Sequence, residues 1–189
     1  MTLDVEDALR IAEELLGSSV PRRWSHVKGV GYRAATAAKL FLADEARLLT
    51  VAAVLHDIGY SPYVAVSGFH PLDGAVWLKD GGHPERLCAL VAHHSCAYRE
   101  AELRGLSVEL VRWTDEQTPL RDALWWADMT TTPDGEVTNV HDRIEEIQKR
   151  YGPDDLVTFF IRQARAELVA AVERTEMRLR VAGLGHLAK

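Results

Sequence analysis

Two cysteines among 189 residues are too few for a disulfide framework and suit a reducing cytosol. Cys88 and Cys96 flank "ALVAHHS" with no Cys-x-x-Cys spacing, so both read as small buried hydrophobes rather than metal ligands. Positive charge is also in deficit: 22 Lys and Arg against 28 Asp and Glu leave a formal charge of −6. That balance argues against non-specific nucleic-acid binding, which needs a basic surface. It leaves room for a small phosphorylated ligand, which a few local arginines can hold. "MTLDVEDALRIAEELLG" at the start has no basic stretch and does not read as a signal peptide. No uncharged apolar run approaches the roughly 18 residues of a membrane helix. A cytoplasmic protein without a membrane partner is the expectation.

Strand patterns are missing as well, and almost every periodic segment has the helical period. "LDVEDALRIAEELLG" lines up Leu3, Val5, Leu9, Ile11, Ala12, Leu15 and Leu16 on one broad face, and Gly17 stops it. Pro21 suits a first helical turn, where its missing N–H does no harm, and opens a helix from about Arg22 to Ala43. "DEARLLTVAAVLHDIG" begins with acids that favour the helix dipole and turns wholly apolar toward His56, the mark of a buried helix. A loop over 59–70 follows, then helices at 71–79, 84–94, 97–104 and around Asp128 in "PLRDALWWADMTT". Two closing helices are expected over 140–151 and 154–182. In the last, Arg174 and Arg178 stand at a repelling i,i+4 spacing, so packing must support it. The expected fold class is all-α, in one domain over 1–189.

Eight histidines stand in this framework: His26, His56, His70, His83, His93, His94, His141 and His186. A lone helical histidine is ordinarily a hydrogen-bonded core or surface residue. Their spread over several helices changes that, as does Asp128 beside two tryptophans, where an unpaired carboxylate would be costly. Helices packed round one core can gather such residues into a metal site. His141–Asp142 opens a charged amphipathic helix that Asn139 can cap, and its reading is structural. His83 and His186 are read as structural or exposed.

The ordered elements "SHVKGV" (His26), "LHDIGYSP" (His56, Asp57), "FHPLDGA" (His70), "AHHS" (His94) and "ADMTT" (Asp128) resemble the HD-domain metal-dependent phosphohydrolase superfamily. The resemblance covers about residues 20–135 and is nearest to small stand-alone members similar to the diadenosine-tetraphosphate hydrolase group. It implies an HD-type helical bundle as core; the additional C-terminal helices over 136–189 lie outside the resemblance and are expected to pack on that core or on a second copy in a homodimer. It implies that His26, His56, Asp57 and Asp128 hold one ion, and that Asp57 bridges to a second held by His70 and His94. A carboxylate can bridge two ions about 3.5–4 Å apart and an imidazole cannot. Adjacent helical residues diverge by about 100°, so His94 is assigned as ligand and His93 as its support.

Four imidazoles and two carboxylates suit first-row transition metals better than Mg²⁺ alone. The expected cofactor is one or two divalent ions, iron first, then manganese, cobalt or nickel. The implied activity is hydrolysis of a nucleotide or other small phosphate ester by a metal-activated water. Arg33, seven residues beyond His26, is expected to steady a phosphate, with Tyr60 and Thr132 bordering the pocket. Gly29 and Gly31 either admit substrate or serve helix packing. Trp113, Trp125 and Trp126 are expected in the core. HD-type di-iron oxygenase chemistry and a non-catalytic nucleotide-binding regulatory module remain as alternatives.

Overall fold

The computed structural model describes residues 3–188; Met1, Thr2 and Lys189, at the ends of the expected unit, lie outside the described residues. The described residues form ten α-helices: α1 Val5–Leu16, α2 Pro21–Ala37, α3 Ala43–Leu55, α4 His70–Asp80, α5 Glu85–Ala92, α6 Ala97–Arg104, α7 Ser107–Leu110, α8 Pro119–Met129, α9 Val140–Tyr151 and α10 Leu156–Val181. Among the described residues the only strand-like pairing is a single bridge between Thr131 and Val137. The fold is all-α.

Several helix starts have a clear local cause in a cap or a proline. Asp4 accepts from the Asp7 amide to cap α1, Asn139 accepts from His141 and Asp142 to cap α9, and Asp155 accepts from Val157 to cap α10. Pro21 and Pro119 sit in the first turns of α2 and α8. α2 ends before the expected Ala43: after one 3₁₀ turn over Ala38–Leu40, Phe41 goes extended and lays its half-buried ring on the core. α7 has only four residues, too few for any periodicity to show.

α8 is the centre. Every residue from Leu120 to Met129 is buried, with α2 and α3 packed on one side and α10 on the other. Trp125 and Trp126 are fully buried and Trp113 nearly so, and both cysteines are buried and free. The Arg174–Arg178 repulsion along α10 is cancelled by Asp122 of α8, which accepts from Arg174 at 2.8 Å twice and from Arg178 at 3.1 Å.

Two close approaches fix what lies above α8. A Cβ at Gly29 would come 2.4 Å from the Gly135 carbonyl oxygen, and Gly135 itself has φ +87° and presses on Ser25. Gly29 therefore serves packing of the 132–135 turn on α2, as Gly31 serves packing against Val54. The turn in consequence sits directly over His26. A Cβ at Gly59 would come 2.0 Å from the His70 carbonyl oxygen, so only glycine lets the 3₁₀ turn Ile58–Tyr60 touch the start of α4. The loop between them is tied by Asp73, which accepts from the amides of Val66, Ser67 and Gly68.

Candidate metal centre

α2, α3, α4, the α5–α6 junction and α8 each deliver one part of a buried His/Asp cluster. His26 lies on the inward face of α2 with Val27 and Val30. His56 caps the C-terminus of α3, and Asp57 begins the turn that Gly59 makes possible. His70 opens α4, His94 follows the end of α5, and Asp128 lies in the last turn of α8. All but His70 are buried, and His70 is half-buried.

Asp57 divides the four imidazoles between its two oxygens. Oδ2 lies 3.3 Å from His56 Nε2 and 3.8 Å from His26 Nε2, while Oδ1 lies 3.2 Å from His70 Nε2 and 3.8 Å from His94 Nε2. Asp128 Oδ1 is 3.1 Å from His26 Nε2 and 3.9 Å from His56 Nε2. Two ligand triads result, His26–His56–Asp128 and His56–Asp57–His94, the donor atoms of each lying within 4.8 Å of one another.

Main-chain carbonyls set the histidine tautomers. Nδ1 of His26 donates to Thr132 O at 2.9 Å, that of His56 to Ala53 O and that of His94 to Val91 O at 2.7 Å each. The Nε2 lone pairs are thereby turned inward, the arrangement that supports metal-ligating histidines. His56 Nε2 is fully buried and has no hydrogen-bond partner. His70 Nε2 and His94 Nε2 face each other at 3.1 Å. An orphaned buried lone pair, an imidazole pair and two carboxylates converging on one point fit a divalent cation: these residues could hold one.

The electrostatics agree. Burial would raise the Asp57 carboxyl, but Arg23 and His56 outweigh it and hold it well below the usual range. Burial likewise opposes, and His26 and His56 reverse, the shift of Asp128, which also lies low. Burial, reinforced by His56 and His70, pushes His94 down to about 3, keeping it neutral and able to ligate. For His56 burial disfavours the charged form, yet Asp57 overrides it and raises the ring: the cluster's field calls for positive charge at that nitrogen.

The end of α5 separates the tandem histidines. The helix stops at Ala92, and Ser95 and Cys96 then take left-handed φ values of 47° and 61°. His94 is turned into the cluster, whereas His93 Nε2 donates to Trp113 O at 2.8 Å and its own carbonyl accepts from Trp125 Nε1. His93 is thus bonded to Trp113 and Trp125 and belongs to neither ligand triad.

Arg33 is a correction. It lies on the same face of α2 as His26 but two turns, about 10 Å, further along the axis. There it stacks on Trp126 and donates to Thr130 Oγ1 and to the carbonyls of Leu187 and Ala188, away from the cleft. Thr132 is corrected in part: it meets the cluster through its carbonyl, while its hydroxyl accepts from the Glu136 amide. Tyr60 does border the cleft and stacks on His70, centroids 4.0 Å apart. His141–Asp142 stays structural, and His186 is exposed.

Three residues escaped the sequence reading. Arg23 Nη1 bonds Asp57 Oδ2 at 2.6 Å while its guanidinium lies over Tyr60; standing three residues before His26, on the same helical face, it was findable. Ser95 donates to Asp128 Oδ2, a contact made by the left-handed kink that no spacing announces. Arg143 borders the cleft from α9.

An all-helical fold that gathers four histidines and two aspartates around one point defines a candidate metalloprotein centre. The family model for the HD domain matches residues 23–145, and the chain belongs to that family. No curated protein and no solved structure matches the chain.

Proposed function

We propose that the protein is a metal-dependent phosphohydrolase acting on a nucleotide or another small phosphate ester. The observation that carries this reading is the division of the imidazoles by Asp57 at the floor of a cleft that also presents Arg23, Arg143 and Arg150. His26, His56, Asp57 and Asp128 would hold one ion, and Asp57, His70 and His94 a second, with iron, manganese, cobalt or nickel suited to this donor set. A divalent ion so held supplies Lewis acidity toward a phosphoryl oxygen and lowers the pKa of water.

The chain's own residues do the rest. Asp57 and Asp128 stay ionised and balance cationic charge. The carbonyls of Thr132, Ala53 and Val91 hold the rings in register, and Ser95 fixes the orientation of Asp128. Arg23, clamped between Asp57 and the Tyr60 face, presents a fixed cation where an oxyanion would enter. α9 and the start of α10 cover the cleft and limit water.

Elemental analysis of protein purified without chelator, paired with phosphate release from a panel of phosphate esters and dinucleoside polyphosphates, tests this. Metal with release supports it. Metal with oxygen uptake and no release would replace it with the oxygenase reading, and protein without metal would overturn it.

A further inference from the structure

The cleft over the cluster is bordered by α9 and the start of α10, whose lining residues, Arg143 apart, lie beyond the matched HD region. One face of α9 carries Arg143, Ile147, Arg150 and Tyr151 at i, i+4, i+7 and i+8, and all four border the cleft. The first turns of α10 add Val157, Phe160 and Ile161. Ile147, Phe160 and Ile161 are buried and Val157 half-buried. No asparagine, glutamine or threonine borders this cleft, and its neutral hydroxyls are those of Ser95, which is bonded to Asp128, and of Tyr60 and Tyr151, so no side-chain amide is present to read the edges of a nucleobase.

Arg143 is the second observation. It is only 4 % exposed, its Nη1 pairs with Glu146 on the same helix, and its Nε is buried without any partner. A buried, unfilled guanidinium N–H beside an apolar wall is unusual, because such donors are ordinarily satisfied. An oxyanion would satisfy it.

We infer that α9 and the start of α10 form the substrate-selecting wall of the cleft. Arg143 receives an oxygen of the phosphate, and Ile147, Val157, Phe160 and Ile161 receive an apolar or aromatic organic group. The favoured substrate class is a phosphate monoester of a small apolar alcohol or phenol, not a nucleotide read through its base. Water adds to phosphorus, the ester P–O bond breaks, and inorganic phosphate and the alcohol leave, the alcohol oxygen carrying a proton from the water. This rests on the hydrolase reading for its chemistry but on α9 and α10 for its selectivity.

Titration calorimetry of the metal-loaded protein with phenyl phosphate, AMP and inorganic phosphate tests it, alongside hydrolysis of the two esters. Phenyl phosphate should bind about 10- to 100-fold more tightly than inorganic phosphate, the gain expected for burying one ring, and more tightly than AMP. Val157→Asn should remove most of that gain and leave inorganic phosphate binding unchanged. Arg143→Met should weaken all three ligands about 10-fold or more at unchanged metal content, with Arg143→Lys recovering part of the loss. If Arg143→Met fails to fold, Arg143→Lys and Val157→Asn decide by the same comparison. AMP binding as tightly as phenyl phosphate, or phosphate affinity indifferent to Arg143, would overturn the inference. Cleavage of both esters without preference would sink it and leave the hydrolase reading intact. Selective binding of phenyl phosphate with no cleavage of either ester would keep the wall and refute the hydrolase.

Discussion

Arg23 Nη1 lies 2.6 Å from Asp57 Oδ2, and the other oxygen of the same carboxylate lies 3.2 Å from His70 Nε2. One buried side chain thus joins α2, α3 and α4 at the centre of the cluster. Asp57→Ala is expected to lose metal at both positions and to abolish hydrolysis, because each triad or its neighbour uses this carboxylate. Metal content by elemental analysis gives the answer; a variant that keeps full metal would show that Asp57 does not join the two halves. Arg23→Met should retain metal with affinity weakened about 10- to 100-fold, as for other residues that orient a ligand.

The tandem histidines separate in a direct comparison. His94→Gln should lose an ion, while His93→Gln should keep metal content and lose roughly 1 kcal/mol of stability from the bond to the Trp113 carbonyl. Metal analysis together with denaturant melts distinguishes them. Loss of metal in His93→Gln alone would reverse the assignment.

Ser95 combines a strained backbone with a useful hydroxyl. At φ 47° it sits where non-glycine residues pay about 1–3 kcal/mol, and it donates to Asp128. Ser95→Gly should relieve strain and still weaken metal binding about 10- to 100-fold, because the support of Asp128 is lost. Ser95→Ala should show the weaker binding without the gain in stability. Equal metal affinity in all three proteins would show that the hydroxyl contributes nothing.

Asp122 makes a pH-dependent tie between α8 and α10. Burial opposes its ionisation, but bonds from Arg174 and Arg178 outweigh burial and lower it. A carboxyl lowered in the folded state adds stability that is present above its unfolded value near pH 4 and fades as pH falls through the folded value. Asp122→Asn should therefore be less stable than the parent by about 1–3 kcal/mol at pH 7. The gap should shrink below about pH 4. Thermal melts across that range read it directly, and a gap independent of pH would mean that the tie is not ionic.

Much of the fold was legible because helical periodicity, capping residues and prolines act within a few residues of themselves. α4, α6, α8, α9 and α10 lie within a residue or two of their expected spans, and the buried tryptophans follow from size and apolarity. The six His and Asp candidates were legible only through their order along the chain, as a resemblance to the HD family. Periodicity could not show that they meet. Tertiary structure decided which histidine of His93–His94 turns inward, because that depends on where α5 ends and on two left-handed residues after it. It also exchanged the expected Arg33 for Arg23: both share the inward face of α2, but only Arg23 stands at the height of Asp57. Arg143 was concealed in a His-Asp-Arg run whose histidine and aspartate are merely surface and cap. Side chains on one helix share a direction by sequence alone; which of them reach a common point depends on how separate helices cross, and that is set by packing contacts distant in the chain.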